Sequence, residues 1–375
     1  MYRHDNRIVL TLDAGATNFV FSAMAGSGEI IEPVTFPAFP DNLEQTLLTI
    51  EAGFESVIKS LPAKPVAISF AFPGPADYQK GLIGDLPNFP SFRGGVALGP
   101  FLRERFGIPV FINNDGDLFA YGEALAGALP ATNQLLAQRG SDKFFRNLLG
   151  LTFGSGFGAG VVINNVLHTG DNSCGGDVWC FRNKLHLDMI CEESVSIRGV
   201  KRNYRELCGV DPGELSTKDI FEIAEGTREG NRDAARRSFE LLGEVAGNTI
   251  AEALTIVDGL VVIGGGVSGA AKYFMPSLIK EMNGKLRTFS GDTYPRMQMK
   301  AYNLEDEVQL DEFLRDKSKN LNIPVSSGGK IIYSQDKVVK FNPVRQTGVT
   351  VSKLGTNKAV AIGAYAFAVS KIGQI

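Results

Sequence analysis

A polar stretch of five residues, Asn113-Asn114-Asp115-Gly116-Asp117, lies where an apolar strand ends and a helix begins, in the run GIPVFINNDGDLFAYGEALAG. Asn and Asp are preferred at helix starts, because their side-chain oxygens accept hydrogen bonds from unpaired backbone N–H groups. Capping requires only one of these residues. The stretch therefore offers further amide and carboxylate groups that can bind a ligand or accept a proton.

Three turns rich in small residues each follow an apolar strand directly, at residues 13–17 (DAGAT), 154–160 (GSGFGAG) and 264–266 (GGG). Turns of Gly, Ala, Ser and Thr leave backbone N–H groups open, so phosphate oxygens can approach without meeting a side chain. Glycine is also common in tight hairpins, and for any one of these turns a structural role explains the pattern as well. Three such turns together favour a phosphate-binding site.

Asp13 stands at the beginning of the first turn and adds a negative charge to it. A carboxylate beside phosphate-binding N–H groups repels the phosphate unless a cation lies between them, which indicates Mg²⁺ or a proton. The alternative is an Asx turn, in which Asp13 bonds only to its own backbone. Taken alone, Asp13 fits the Asx turn better.

Composition limits the classes of protein and partner. The 375 residues are 44% apolar, enough for two globular domains, and carry a formal net charge of −3, so they offer no basic excess for nucleic acid. The amino terminus has no apolar signal core, and the longest apolar run, residues 359–369, is too short to span a bilayer. Four cysteines in a chain of this size indicate a reducing compartment. We expect a cytoplasmic protein with a small ligand and no membrane partner.

The periodicity of apolar residues predicts alternating strands and helices, which is the pattern of an α/β protein. Two strand–turn–strand units, one in each half, suggest a duplicated architecture whose halves face one ligand. Residues 130–146 form a polar segment, and residues 288–348 show no clear pattern. The predicted strands cover residues 8–12, 19–25, 66–70, 110–113, 148–153, 161–167 and 259–263. The predicted helices cover residues 43–61, 101–106, 118–128, 235–256, 269–282 and 358–371.

Several motifs of different chemistry, taken in order, resemble the ROK (repressor, open reading frame, kinase) family. They are LTLDAGATN, AFPGPAD with GLIGDLPNFPSFRG after it, FINNDGDLFAYGE, GLTFGSGFGAGVVINN, GGDVWCF, VVIGGGVS and LGTNKAVAIGAYAFA. The resemblance implies an actin-like ATPase (ribonuclease H-like) fold, with two α/β domains around a cleft. The first domain would cover residues 1–128, completed by the helix at 358–371, and the second residues 129–357.

The resemblance also implies a function, the ATP-dependent phosphorylation of a hydroxyl group on a hexose or hexose derivative. Asp115 matches the general base, and Asn114 matches a residue that hydrogen-bonds the sugar. Asn113 and Asp117 are then left for capping and support. Asp13 would organise Mg²⁺, directly or through water. The implied nucleotide-binding residues are Gly15, Ala16, Thr17, Gly154, Ser155 and Gly156 at the phosphates and Gly264, Gly265 and Gly266 at the adenosine.

The sugar pocket departs from the pattern of the family. The family's Gly-Glu-x-Gly-His run, whose Glu and His contact the sugar, is replaced by Gly176-Asp177-Val178-Trp179-Cys180. The usual zinc loop is absent apart from Cys191, which is followed by Glu193 at the matching Glu position. We therefore expect no zinc site, and we expect glucose and N-acetylmannosamine to be poor substrates. The candidate sugar contacts are Asn88, Asn114, Asp177 and Glu193.

Purely structural roles remain open for several of these residues. Asn88 fits a turn, Glu193 fits the first turn of a helix, and a lone Trp179 is more often packed than stacked on sugar. Three other functions also remain: a catalytically altered sugar-binding relative, an actin-like nucleotide-driven protein, and a repressor. The 12 residues before Asp13 are too few for the DNA-binding arm of a repressor. We expect a homodimer.

Overall fold

The computed structural model describes residues 4–15, 17–26, 28–86, 89–209, 211, 213 and 215–373. Strands and helices alternate along it, as the sequence pattern predicts. The strands are β1 (Val9–Ala14), β2 (Asn18–Ala25), β3 (Gly28–Glu29), β4 (Val34–Pro37), β5 (Ala67–Ala71), β6 (Ala76–Asp77), β7 (Leu82–Ile83), β8 (Val110–Asn113), β9 (Leu148–Phe153), β10 (Phe157–Ile163), β11 (Val166–His168), β12 (Leu260–Gly264), β13 (Lys285–Arg287), β14 (Thr293–Pro295), β15 (Lys300–Asn303), β16 (Lys319–Ser327), β17 (Lys330–Phe341) and β18 (Gln346–Val351). The helices are α1 (Leu43–Lys59), α2 (Leu98–Phe106), α3 (Asp115–Ala126), α4 (Ala128–Gln138), α5 (Ile197–Cys208), α6 (Thr217–Glu225), α7 (Arg232–Val257), α8 (Ala271–Met282), α9 (Glu307–Leu314) and α10 (Thr356–Ile372).

Two sheets organise the chain. The first has the strand order β3-β2-β1-β5-β8, with β4 also paired to β2, and the second has the order β11-β10-β9-β12-β18-β15. In each sheet an antiparallel hairpin is followed by two parallel strands, β5 and β8 in the first and β12 and β18 in the second. The two halves are therefore built alike, as the repeated strand–turn–strand units predict.

Helices α3 and α10 connect the two sheets. Helix α3 follows β8 of the first sheet and packs on β9 and β10 of the second, while α10 follows β18 of the second sheet and packs on β1, β5 and β8 of the first. The two helices also pack on each other so closely that a Cβ atom at Gly122 would lie 2.0 Å from the Ala359 carbonyl oxygen. The carboxyl ends of both sheets are thus held next to one another. A division of the chain near residue 128 stays a prediction.

Three sequence-based predictions need correction. The polar segment at 130–146 contains α4, because Pro130 falls in the first helical turn, where a backbone N–H has no intrahelical partner. The glycine-rich turn ends at Gly156, and Phe157–Ile163 is already strand β10, followed by a separate strand β11. Residues 288–348 contain β14 to β17, α9 and the start of β18. In the described part of the chain, no helix is both long and apolar enough to cross a membrane.

Candidate active site

The carboxyl ends of three neighbouring parallel strands bring the first site residues together. Asp13 in β1 lies beside Ala71 in β5, and Ala71 lies beside Asn113 in β8. Asp115 is the first residue of α3, two positions after β8 ends. Asp13 and Asp115 therefore stand at the same edge of the sheet, where the negative charge of Asp115 acts on Asp13.

The start of α3 explains part of the polar stretch. Asn114 has an extended backbone, and its side chain accepts a hydrogen bond of 2.8 Å from the Gly116 N–H, which also donates to Asp115 at 2.9 Å. Asn114 is thus the cap, and the prediction that Asn113 and Asp117 serve for capping is wrong. Position 116 must be glycine-sized, because a Cβ there would lie 2.6 Å from the Ala159 carbonyl oxygen in β10.

The two carboxylates that the sequence places at this edge have perturbed acidity. Solvent reaches both from the cleft, yet the surrounding protein atoms displace part of their water. This loss of hydration raises the pKa of Asp115. It also raises the pKa of Asp13, and the negative charge of Asp115 raises the pKa of Asp13 further. A carboxylate whose pKa is raised is a better proton acceptor for a reacting hydroxyl than an ordinary one.

Asp13 and Asp115 line a cavity of about 610 Å³ that also includes Thr356 and Asn357 at the start of α10. The Asn357 side-chain amide lies 3.5 Å from the Asp13 carboxylate, and the Thr356 hydroxyl accepts a hydrogen bond of 2.9 Å from the Gly265 N–H. The start of α10 thus links the first small-residue turn to the third. Sequence reasoning assigned no role to these two residues, although they lie in the LGTN part of a family motif.

The two glycine turns of the second sheet lie side by side, because they follow the neighbouring parallel strands β9 and β12. Gly265 has φ +86°, and a Cβ there would lie 2.3 Å from the Phe153 carbonyl oxygen at the end of β9. Gly154 has open space around it, and Ser155 is exposed. The structure therefore brings turns 154–156 and 264–266 together.

The first turn is a tight hairpin between β1 and β2. The Gly15 N–H donates to the Asn18 carbonyl oxygen at 3.0 Å, and a Cβ on Gly15 would lie 2.8 Å from that oxygen. Thr17 is exposed. Two further predicted site residues, Ala16 and Asn88, lie outside the described residues.

Asp177 lies near enough to the start of α3 for its charge to act on Asp117. Burial raises the pKa of Asp117 well above its ordinary value, and the charges of Asp177 and Asp115 add to this effect. Burial raises the pKa of Tyr78, and the charges of Asp115, Asp117 and Asp177 add to this effect. The Tyr78 hydroxyl donates a hydrogen bond of 2.9 Å to the Phe72 carbonyl oxygen. One Asp117 oxygen is buried without a hydrogen-bond partner among the described residues. Buried oxygens without a partner are rare in folded proteins.

Trp179, two residues beyond Asp177, was expected to be packed, and that prediction is wrong. Its side chain is 40% exposed. It is the single tryptophan of the chain, so its fluorescence reports on this one loop.

Glu193 has two arginine partners next to the glycine turn at residues 154–156. Its carboxylate lies 2.9 Å from Arg198 and 3.5 Å from Arg202. Arg198 also donates to the Ser155 carbonyl oxygen at 3.3 Å and pairs with Glu192, which accepts a 2.9 Å bond from the Phe157 N–H. These contacts tie Glu193 to the turn at 154–156. Sequence reasoning gave no role to Glu192 or Arg198, because neither matched a motif used for the resemblance.

The residues of the cleft can be tested for a metal ion. In the described ranges, no three or more His, Cys, Asp and Glu side chains converge as metal ligands. Mg²⁺ bound with a nucleotide needs only one or two protein carboxylates, since phosphates and waters supply the other oxygens. Asp13, which is repelled by Asp115 and borders the first turn, fits that role. A structural zinc site would need four ligands, and its absence stays a prediction.

The buried Asp117 leads to a prediction about stability. Because its pKa is raised in the folded state, the stability that the bound proton contributes is complete below about pH 4, the unfolded value. That stability is lost as the pH rises toward the folded-state pKa. We therefore expect Asp117→Asn to raise the Tm relative to wild type by a few degrees at pH 7 and by less at pH 4. Thermal circular dichroism at both values measures the difference.

The matched control for this prediction is Asp41→Asn, which removes an exposed carboxylate. Its effect on Tm should stay small and should not depend on pH in this way. A Tm difference for Asp117→Asn that is constant, or that shrinks from pH 4 to pH 7, would contradict the buried-proton account.

Comparisons with known proteins agree with this geometry. A sequence model of the ROK family matches residues 9–307. The crystal structure of a glucokinase from Parabacteroides distasonis is 55% identical, has a TM-score of 0.88 and covers 99% of this chain and 99% of that one. A glucokinase from Thermotoga maritima is 26% identical over 311 residues, which are 72% of this chain and 89% of that protein. A ROK family glucokinase from Streptomyces griseus, solved with glucose and AMPPNP, shares the fold at 17% identity and a TM-score of 0.57, over 96% of this chain and 98% of that one.

Proposed function

We propose, on the premise that the chain belongs to the ROK family and has its actin-like ATPase fold, that this protein transfers the γ-phosphoryl group of ATP to a hydroxyl of a hexose. One observation carries the proposal. Asp13 and Asp115 line one cavity at the carboxyl edge of the first sheet, and the start of α10 joins that edge to the glycine turns of the second sheet. Phosphoryl transfer needs this combination of a proton acceptor, phosphate-binding N–H groups and a place for a cation.

Asp115 is the proposed general base. Its position at the first turn of α3 is fixed, because Asn114 caps the helix and Gly116 packs against β10. A carboxylate held rigidly near the attacking hydroxyl can accept its proton while the hydroxyl stays in line with the γ-phosphoryl group. The raised pKa of Asp115 increases its affinity for that proton.

The proposed nucleotide site uses the three small-residue turns. The Gly15 and Gly154 N–H groups bond to carbonyl oxygens of their own turns, so the remaining N–H groups of turns 15–17 and 154–156 would bind the phosphates. Turn 264–266 would contact the adenosine. Asp13 would hold Mg²⁺ through the metal's waters, and the ion would neutralise phosphate charge when bound. Thr356 supports this arrangement, because its hydroxyl accepts a bond from the Gly265 N–H and so ties the third turn to the start of α10.

The proposed sugar site lies around the start of α3. Asp177 and Asn114 stand near Asp115 and are the best supported contacts for sugar hydroxyls. Glu193 would have to share its carboxylate with Arg198 and Arg202. For Asn88, only the resemblance supports a role.

Glucose is the sugar that we propose as substrate, in place of the sequence-based expectation that it is a poor one. The relative that is 55% identical over nearly the whole chain is described as a glucokinase. Asp177 keeps a carboxylate at the position of the family's Glu, and this carboxylate can accept bonds from sugar hydroxyls.

The experiment that tests the function is a panel of hexoses and N-acetylhexosamines with Mg-ATP, with ADP release and Trp179 fluorescence measured together. We expect glucose to give the fastest ADP release and a saturable change in fluorescence, because Trp179 is exposed beside Asp177. A fluorescence change without ADP release would favour the altered sugar-binding relative. ADP release that no sugar stimulates would favour a nucleotide-driven protein. Either result would overturn the proposal.

A further inference from the structure

Four charged side chains lie together beside the glycine turn at residues 154–156. They are Glu192, Glu193, Arg198 and Arg202, which we call the charge cluster. Two carboxylates and two guanidinium groups give the cluster a formal charge of zero. The proposed function uses only Glu193, as a sugar contact that two arginines already occupy. It leaves the other three members of the cluster unexplained.

Hydrogen bonds to the backbone hold the charge cluster against the glycine turn. The Ile197 N–H, at the start of α5, donates to the Gly154 carbonyl oxygen at 2.8 Å. The Phe157 N–H donates to a Glu192 oxygen at 2.9 Å, and a Cβ on Gly156 would lie 2.8 Å from the same oxygen. The negative charge of Glu192 therefore lies directly against a turn that is proposed to bind phosphate.

Arg198 uses all three of its guanidinium nitrogens in this cluster. Nε donates to Glu193 at 2.9 Å, Nη2 donates to Glu192 at 2.7 Å, and Nη1 donates to the Ser155 carbonyl oxygen at 3.3 Å. The side chain nevertheless keeps 47% of its surface exposed, and exposed side chains change rotamer within nanoseconds. Arg198 thus joins the glycine turn to a candidate sugar contact, and it has room to exchange one partner for another.

A bound nucleotide would change the balance of charge around Arg198. Its phosphates would bring further negative charge next to Glu192, and charges close together in a poorly hydrated cleft act on each other strongly. The bond from Arg198 to Glu192 is then needed, because it neutralises the carboxylate against the turn. The bond to Glu193 can be given up, because sugar hydroxyls can donate to that carboxylate instead.

We propose that Arg198 couples the binding of ATP to the binding of sugar. This coupling rests on the proposed function. Without nucleotide, Arg198 competes with sugar hydroxyls for the Glu193 carboxylate. When a phosphate occupies the turn, Arg198 exchanges Glu193 for a phosphate oxygen and leaves that carboxylate to the sugar. Each ligand therefore strengthens the binding of the other by the same factor, as thermodynamic linkage requires.

Calorimetric titration of the full chain with glucose measures this coupling, with and without a saturating Mg²⁺ complex of a non-hydrolysable ATP analogue. We expect the analogue to lower the Kd of wild type for glucose about tenfold, a typical coupling between two sites. In Arg198→Met, which keeps a long side chain without the charge, the factor should fall to about one. The Kd of this variant for glucose alone should be no higher than that of wild type, because Glu193 has lost a competitor.

The matched control is Arg202→Met, which removes the other guanidinium next to Glu193, at 3.5 Å. Arg202 also contacts Ser194 and Glu206, and neither of these lies in the glycine turn. This variant should therefore keep a coupling factor near that of wild type. Circular dichroism and Tm show whether both variants are folded.

Failure of the coupling can be told apart from failure of the proposed function. A wild type that phosphorylates glucose but binds it equally well with and without the analogue would overturn the coupling alone. The same follows if Arg198→Met keeps the full factor, if it binds glucose alone more weakly than wild type, or if Arg202→Met loses the factor as completely. A wild type with neither glucose binding nor sugar-stimulated ADP release would overturn the function and the coupling together.

Discussion

Replacing Asp115 with Asn should lower kcat by roughly two orders of magnitude or more, the usual contribution of a general base. Asn has nearly the same size, and its amide oxygen can still accept the hydrogen bond from the Gly116 N–H. Helix α3 should therefore start as before, and KM for sugar and for ATP should change much less than kcat. Steady-state kinetics with glucose and Mg-ATP measure both quantities.

Two controls make this result specific to proton transfer. Asp41→Asn, an exposed carboxylate, should keep wild-type turnover. In wild type, kcat should fall as the pH drops through the raised pKa of Asp115, because the protonated carboxyl cannot act as base, and the variant should lack this acid limb. Near-normal turnover in a folded Asp115→Asn protein would contradict the assignment.

Replacing Asp13 with Asn should have the second largest effect, a loss of kcat of about two orders of magnitude, the scale of losing one group that stabilises charge in the transition state. The variant should also require more Mg²⁺ for half-maximal activity, because the carboxylate proposed to hold the ion's waters is gone. Activity measured over a series of Mg²⁺ concentrations gives both numbers.

A binding measurement separates this role from a structural one. Calorimetric titration with an ATP analogue should show that Mg²⁺ strengthens binding to wild type more than to Asp13→Asn. Asn357 contacts Asp13 at 3.5 Å and can still bond to the new amide, so the start of α10 should remain in place. An unchanged Mg²⁺ dependence in both assays would argue against Asp13 as the metal-organising residue.

Local patterns in the sequence predict most of the α/β framework. Strand β8 and strand β9 begin and end where apolar runs do, and α7 follows its spacing of three and four residues. Prediction from local patterns fails where a glycine or proline is present because of a contact between distant parts of the chain. Gly158 and Gly160 look like a turn but lie in β10, because α3 packs directly against that strand. Strands β16 and β17 were missed because the mixed polar composition of residues 288–348 hides the alternation within β16.

Some residues of the candidate site can also be predicted from the sequence, and others cannot. Asp13 and Asp115 can be found from the sequence, since each is a carboxylate at or just beyond the end of an apolar run. Thr356 cannot, because its contact with Gly265 joins residues 91 positions apart and depends on α10 crossing between the sheets. Arg198 in α5 and Glu192 in the segment before it contact the glycine turn at residues 154–156 and the residue after it, which no local spacing indicates.

Phosphorus NMR of the reaction products tests the central claim most directly. Pure protein is incubated with glucose, ATP and Mg²⁺, and the ATP, ADP, inorganic phosphate and sugar phosphate signals are followed over time, with Asp115→Asn in parallel. We predict one sugar phosphate for each ADP formed by wild type, little inorganic phosphate, and a rate for the variant lower by roughly two orders of magnitude. ADP that appears with inorganic phosphate alone, or sugar phosphate formed equally fast by the variant, would contradict the account.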